Sequence, residues 1–119
     1  MKLLGLVPTL YTADLRASVA FYVDVLGFAV DGEISDEWAQ VRRDDVVIAF
    51  VPPNAQLSFE RPTFTGSLYL RCDDVDALWA RIEGNAKVCY PPEDFPYGMR
   101  ECAIWDRDGY LLQFGQDIA

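Results

Sequence analysis

Histidine is the side chain that most readily does chemistry near neutral pH, and this chain of 119 residues has none. Its cysteines, Cys72, Cys89 and Cys102, are widely spaced and form no CxxC pair, which argues against a zinc knuckle or a thioredoxin-type centre. They read as buried, reduced thiols that pack as small hydrophobes. Carboxylates and aromatics remain. Glu33, Asp36, Glu37, Glu93, Asp94 and Glu101 can draw in a cation. Strand alternation selects the residues that leave the core. In SLYLRC, Leu68, Leu70 and Cys72 share the apolar face, so Ser67, Tyr69 and Arg71 share the other. In the last strand Tyr110, Leu112 and Phe114 take the core, which leaves Leu111 and Gln113 on the open face. In ECAIWD, Cys102 and Ile104 fit the core, leaving Glu101 and Trp105. On the first strand Leu10 points inward, and Thr9 and Tyr11 outward. Such a set suits non-covalent recognition of a flat or positively charged molecule. A stacked aromatic pair contributes about 0.5–1.5 kcal/mol beyond area burial, and a desolvated cation–π contact about 2 kcal/mol.

The elements that must position these residues come in a repeated order. A strand is expected over Leu4 to Thr12, with Pro8 placing it at a sheet edge or in an exchanged arm, because proline cannot donate to a ladder. Asp14 caps a helix in which Leu15, Val19, Tyr22 and Leu26 recur at helical spacing, and Gly27 ends it. Strands follow over Phe28 to Glu33, Glu37 to Arg43 and Val46 to Val51, the last two joined by a turn at Asp44 and Asp45. The loop PPNAQLSFERPTFTG then divides the chain near its middle. The order repeats. Ser67 to Cys72 is a strand. Asp73 or Asp74 caps a helix carrying Val75, Leu78, Trp79 and Ile82, and Gly84 stops it. Lys87 to Tyr90 is a short strand, PPEDFPYG a loop, and Glu101 to Trp105 with Tyr110 to Phe114 a hairpin around DRDG. RRDDVVIAF lines up with DRDGYLLQF, and TADLRASVAFYVDVLG with CDDVDALWARIEG. The expectation is a single α+β domain over residues 1–119. It comprises two tandem βαβββ modules, about 1–60 and 61–119, forming a curled sheet around a cleft with helices on the outer face. Neither half is large enough to bury a sheet face securely alone.

Bulk properties narrow the function classes. Half the residues are apolar, and seven Phe, six Tyr and three Trp argue against disorder. The formal net charge of −9 makes nucleic acid a poor partner. No apolar run approaches the roughly 18 residues of a membrane span, and the start MKLLGLVPTLYTADL lacks the segment and cleavage site of a signal peptide, so no membrane role and a cytoplasmic location are expected.

The stretches DLRASVAFYVDVLGF and DRDG, in this order, resemble the vicinal oxygen chelate superfamily, which includes glyoxalase I, extradiol dioxygenases, fosfomycin-resistance enzymes and bleomycin-resistance proteins. The resemblance implies four metal-ligand positions, which fall here at Val7, Ala49, Ser67 and Gln113. Val and Ala bind no metal and Ser and Gln are poor ligands, so neither a metal nor another cofactor is expected. Within the superfamily VPTLYTADLRASVAFYVDVLGF, DEWAQVRRDDVVIAF and PYGMRECAIWDRDGYLLQF most resemble the bleomycin-resistance proteins. Those are metal-free dimers that exchange an N-terminal strand and sequester the drug in clefts at the dimer interface. Trp38 falls where that group has an aromatic after an acidic pair, and Tyr69 where it has a Trp in the fifth strand. Tyr97 falls where a Trp precedes GRE, written here as YGMRE with one residue inserted. The resemblance thus implies a non-enzymatic homodimer that binds a planar or cationic small molecule, such as a bleomycin-type antibiotic. The binding residues would be Trp38, Tyr69, Tyr97, Glu101, Trp105, Tyr11 and Gln113. Trp38 also suits a dimer seam, and Tyr97 an anchor for its loop. The rival is a metal-independent isomerase or lyase using Glu101, Tyr69 or Tyr11 as acid–base groups. A third alternative is a sensing domain whose cleft is filled by Trp38 and Trp105.

Overall fold

In the computed structural model, which describes residues 1–54 and 58–119, an aspartate starts each helix. Asp14 accepts from the amide of Ala17 at 3.1 Å and opens α1 (Leu15–Asp24). Asp74, rather than Asp73, accepts from the amide of Ala77 at 3.0 Å and opens α2 (Val75–Ile82). Each cap satisfies one of the amides that a helix start leaves without an intrahelical partner. The chain divides into two compact units, Met1–Glu60 and Arg61–Ala119, and each repeats the order strand, helix, three strands. The fold class is therefore α+β, built of two tandem βαβββ modules.

In the first unit β1 (Thr9–Tyr11), β2 (Ala29–Val30), β3 (Ala39–Arg43) and β4 (Val46–Val51) form a sheet in the order β1-β4-β3-β2, with β1 parallel to β4. Helix α1 packs on β2, β3 and β4. Tyr22 centres the core, edge-on to Phe28 at 5.6 Å and to Phe50 at 4.9 Å. Strand β1 is shorter than the Leu4 to Thr12 expected. It is an edge strand entered through Pro8, whose carbonyl accepts from Ala49 at 2.9 Å. The preceding residues find no strand partner among the described residues, and Leu3, Leu4 and Leu6 stand exposed. Strand β2 likewise stops at Val30 rather than Glu33.

In the second unit β5 (Leu68–Arg71), β6 (Lys87–Phe95), β7 (Met99–Trp105) and β8 (Leu111–Asp117) form a sheet in the order β5-β8-β7-β6, with β5 parallel to β8. Helix α2 packs on β6, β7 and β8 over buried Cys102, Ile104, Leu112 and Phe114, the face that alternation assigned to the core. The main departure from expectation is β6, which runs nine residues to Phe95 through the stretch read as a loop. As the edge of its sheet, β6 loses no ladder bond at Pro91 or Pro92 on its open side, and register shifts between Val88 and Tyr90 and between Tyr90 and Glu93 absorb the rest. The turn shrinks to Pro96–Gly98, closed by a 3.1 Å bond from the Gly98 amide to the Phe95 carbonyl, with Gly98 at φ 85°. Edge placement also turns Cys89 outward. Cys102 is buried as expected, with its thiol pushed up to about 11 by burial, and Cys72 is half-buried, but Cys89 is exposed.

The DRDG signature is structural. The buried Asp106 carboxylate oxygen Oδ1 accepts from the amides of Asp108, Gly109 and Tyr110, each at 2.9 Å, and so folds the turn between β7 and β8. Among the described residues no helix is long and apolar enough to cross a membrane.

Candidate functional site

The pleat puts Tyr69 of β5, Gln113 of β8, Ala103 of β7 and Tyr90 of β6 in one row across the second unit's sheet, since Tyr69 opposes Gln113, Gln113 opposes Ala103 and Ala103 opposes Tyr90. In the adjoining row Gly115 of β8 opposes Glu101 of β7. Two side chains cross the sheet diagonally. Tyr69 passes over Gly115 and donates to Glu101 Oε2 at 2.5 Å. Gln113 spans the small Ala103 and donates from Nε2 to the Tyr90 hydroxyl at 2.9 Å. Gly115 makes the first crossing possible. A Cβ there would stand 2.9 Å from Tyr69 Cε1 and would overlap its Cζ and hydroxyl.

Glu101 is the focus. Only 3% exposed, it accepts from three tyrosines: Tyr69 on Oε2, and Tyr97 at 2.8 Å and Tyr90 at 3.3 Å on Oε1. Ser67 completes the network by donating to Gln113 Oε1 at 2.5 Å. Among the described residues no Lys or Arg forms an ion pair with Glu101; Arg100, its chain neighbour, turns to Asp76 and Asp94 instead. A buried anion thus rests on neutral donors alone. Hydrogen bonds to a charged group contribute about 1.5–3 kcal/mol each, which offsets part of its desolvation. Tyr97 stacks on Phe95 with centroids 5.4 Å apart, and Phe95 meets Tyr90 edge-on at 5.8 Å, so packing orients two of the three phenols. Tyr69 is 42% and Tyr97 64% exposed, so the network opens to solvent through these two rings.

All three tyrosines hold their protons more tightly than usual. For Tyr69 and Tyr90 burial is the first cause and the neighbouring Glu101 charge adds to it; for Tyr97 the hydrogen bond to Glu101 comes first and lifts it to about 12. The folded state therefore binds protons that the unfolded chain releases near pH 10. The resulting stability is complete below about pH 10 and is lost as pH rises through about 12. In an alkaline titration followed by tyrosinate absorbance, the network tyrosines should lag behind, with Tyr97 half-ionised near 12. All six tyrosines ionising together near pH 10 would contradict the network.

The structure brings Tyr69, Tyr97, Glu101 and Gln113 together in one network. Trp105 shares their face of β7 beyond Ala103 and is half-buried, outside the hydrogen bonds. Trp38 and Tyr11 belong to the first unit. Trp38, 42% exposed, closes a turn in which Ser35 Oγ accepts from the amides of Glu37 and Trp38, and Tyr11 stands exposed on β1. Tyr90 and Gly115 escaped the sequence reading. Tyr90 was read only as the end of a short strand, with no face assigned, and Gly115 carries no side-chain signal. The positions where a superfamily metal would bind do not suit one. Val7 and Ala49 offer no donor atom, and Ser67 and Gln113 are bonded to each other. Among the described residues no three His, Cys, Asp or Glu side chains gather to hold a metal ion.

The family model described as the Glyoxalase/Bleomycin resistance protein/Dioxygenase superfamily matches residues 6–114. A comparison with curated proteins finds no match. Among solved structures, a bleomycin-binding protein from bleomycin-producing Streptomyces verticillus, complexed with copper(II)-bleomycin, is 30% identical, with a TM-score of 0.71 and 96% of each chain covered. A bleomycin resistance determinant encoded on the transposon Tn5 is 22% identical, with a TM-score of 0.77 over 97% of this chain and 98% of that one. A lactoylglutathione lyase from Agrobacterium tumefaciens is 22% identical, with a TM-score of 0.71 over 95% of this chain and 92% of that one. The last two likenesses establish the fold alone.

Proposed function

The chain belongs to the Glyoxalase/Bleomycin resistance protein/Dioxygenase superfamily, and from that premise we propose that it is a non-enzymatic binding protein that sequesters a planar, positively charged small molecule, with a bleomycin-type antibiotic as the named candidate. The observation that carries this proposal is the buried Glu101 carboxylate, without a cationic partner among the described residues, ringed by three tyrosine hydroxyls and opening to solvent through Tyr69 and Tyr97. A ligand cation supplies the missing charge, and the exposed rings supply surface for a flat group. The likeness to a protein complexed with copper(II)-bleomycin supports the named candidate. Trp38, Tyr11 and Trp105 add aromatic surface in a homodimer whose interface clefts hold the ligand. The exposed Leu3, Leu4 and Leu6 of the N-terminal arm support such an association.

Catalysis by the same residues is disfavoured by their protons. An acid–base group works best with a pKa near the operating pH, and Tyr97 at about 12 is ionised to only about one part in 10⁵ at pH 7. Within this network Glu101 is the group left for the enzymatic alternative.

Titration with metal-free and copper-loaded bleomycin, followed by tryptophan fluorescence and calorimetric heat, tests the proposal. Saturable binding tighter than about 1 μM, near one drug per chain, is expected, with Trp38→Ala and Tyr69→Ala each weakening it about tenfold. Absence of heat and quenching at high drug concentration would overturn the bleomycin assignment.

A further inference from the structure

We infer that the Glu101 cluster selects organic cations that carry N–H donors (protonated amines, amidines or guanidines) over fully N-methylated cations of the same charge. This rests on the cluster being the ligand site, and it follows from where the protons go. Each phenol has one hydrogen, and Tyr69, Tyr90 and Tyr97 all spend it on Glu101. Ser67 spends its hydrogen on Gln113, and Gln113 spends one amide hydrogen on Tyr90. What the half-exposed Tyr69 and Tyr97 offer a ligand at the carboxylate is therefore oxygen lone pairs, beside the remaining lone pair of Glu101 Oε2.

A ring of acceptors around a negative charge repels carboxylates and phosphates and gives neutral molecules little. Among cations it distinguishes two kinds. The usual aromatic cage for quaternary ammonium presents ring faces to the charge. Here the hydroxyls converge and the rings radiate away from Glu101, with one face of Tyr97 occupied by Phe95. An N–H cation fills the lone pairs with charge-assisted bonds. A methylated cation has nothing to donate, and its methyl groups hold the charge farther from the carboxylate.

The probes are benzylammonium and benzyltrimethylammonium, with benzoate as control, added to the whole protein carrying ¹³C-labelled tyrosine rings and followed by NMR. Benzylammonium should shift the Tyr69 and Tyr97 signals with an affinity at least about tenfold above that of benzyltrimethylammonium, and benzoate should leave them unmoved. In Glu101→Gln the preference should collapse to less than about twofold. Equal or tighter binding of the methylated probe at these signals would overturn the inference while leaving sequestration of a planar cation standing. No shift with either cation at concentrations of about 10 mM would overturn both the inference and the assignment of this cluster as the ligand site.

Discussion

Replacing Gly115 by alanine is expected to lower the unfolding free energy by about 3 kcal/mol, a large effect for one methyl group on a strand. The backbone there is ordinary strand, so the cost comes from the side chain that crosses it. The new Cβ would occupy the space of the Tyr69 ring and hydroxyl. If the sheet yields, overpacking costs about 1–3 kcal/mol. If the ring swings out, Glu101 loses a bond worth about 1.5–3 kcal/mol and Tyr69 becomes an ordinary exposed phenol. Either route should weaken the proposed cation binding. The check is a double-mutant cycle in urea. Tyr69→Ala in the Gly115→Ala background removes the obstructed ring and should recover more than about 1 kcal/mol relative to the sum of the single changes. Additive effects, or a Gly115→Ala protein within about 0.5 kcal/mol of the original, would show that Tyr69 does not lie across this position.

Glu101→Gln is expected to separate binding from stability. The amide keeps the shape of the carboxylate and still accepts at one oxygen. A tyrosine hydroxyl facing the new NH₂ can rotate and accept instead of donating. Removing a buried charge that has no cationic partner among the described residues also removes its desolvation cost, so stability should change by less than about 1 kcal/mol in either direction. Affinity for a cationic ligand should nevertheless fall about tenfold to a hundredfold, equivalent to about 1.4–2.8 kcal/mol. With the charge gone, Tyr97 should ionise nearer its ordinary value than the about 12 it has in the parent. Calorimetric titration beside thermal unfolding distinguishes the outcomes. A loss of more than about 2 kcal/mol in stability with affinity unchanged would make Glu101 a structural residue.

How far these features could be read from the chain depended on the physics behind each. Period-two alternation in SLYLRC, ECAIWD and Tyr110–Phe114 placed Tyr69, Glu101 and Gln113 on one face, because burial of the opposite face leaves a strand only one orientation. Capping chemistry and glycine stops located both helices. The duplication, visible in RRDDVVIAF and DRDGYLLQF, supplied the repeated succession of strand, helix and three strands along the chain. Tyr90 was read as the last residue of a short strand with no face assigned, because Pro91 and Pro92 suggest a loop when the strand's edge position is unknown, and the register shifts on either side of Tyr90 are a property of the assembled sheet. The convergence on Glu101 was not legible either. It depends on a diagonal path over Gly115, and a missing side chain leaves no mark in a hydropathy pattern. All seven residues, Tyr69, Tyr97, Glu101 and Gln113 as much as Trp38, Tyr11 and Trp105, remain proposals as ligand residues, since participation depends on a bound molecule.

The same prolines that concealed the full length of β6 bear on the protein's behaviour in a crowded solution. An open sheet edge is a template on which a stray strand from another molecule can seed aggregates. Along β6 that template is defective. Two successive positions, Pro91 and Pro92, have no N–H to offer, and two register shifts break the straight run of groups that an incoming strand would need. The strand is long enough to carry Tyr90 to the network, yet irregular enough to refuse a foreign partner, so this edge of the second module resists fibril growth without needing a helix or loop to cover it.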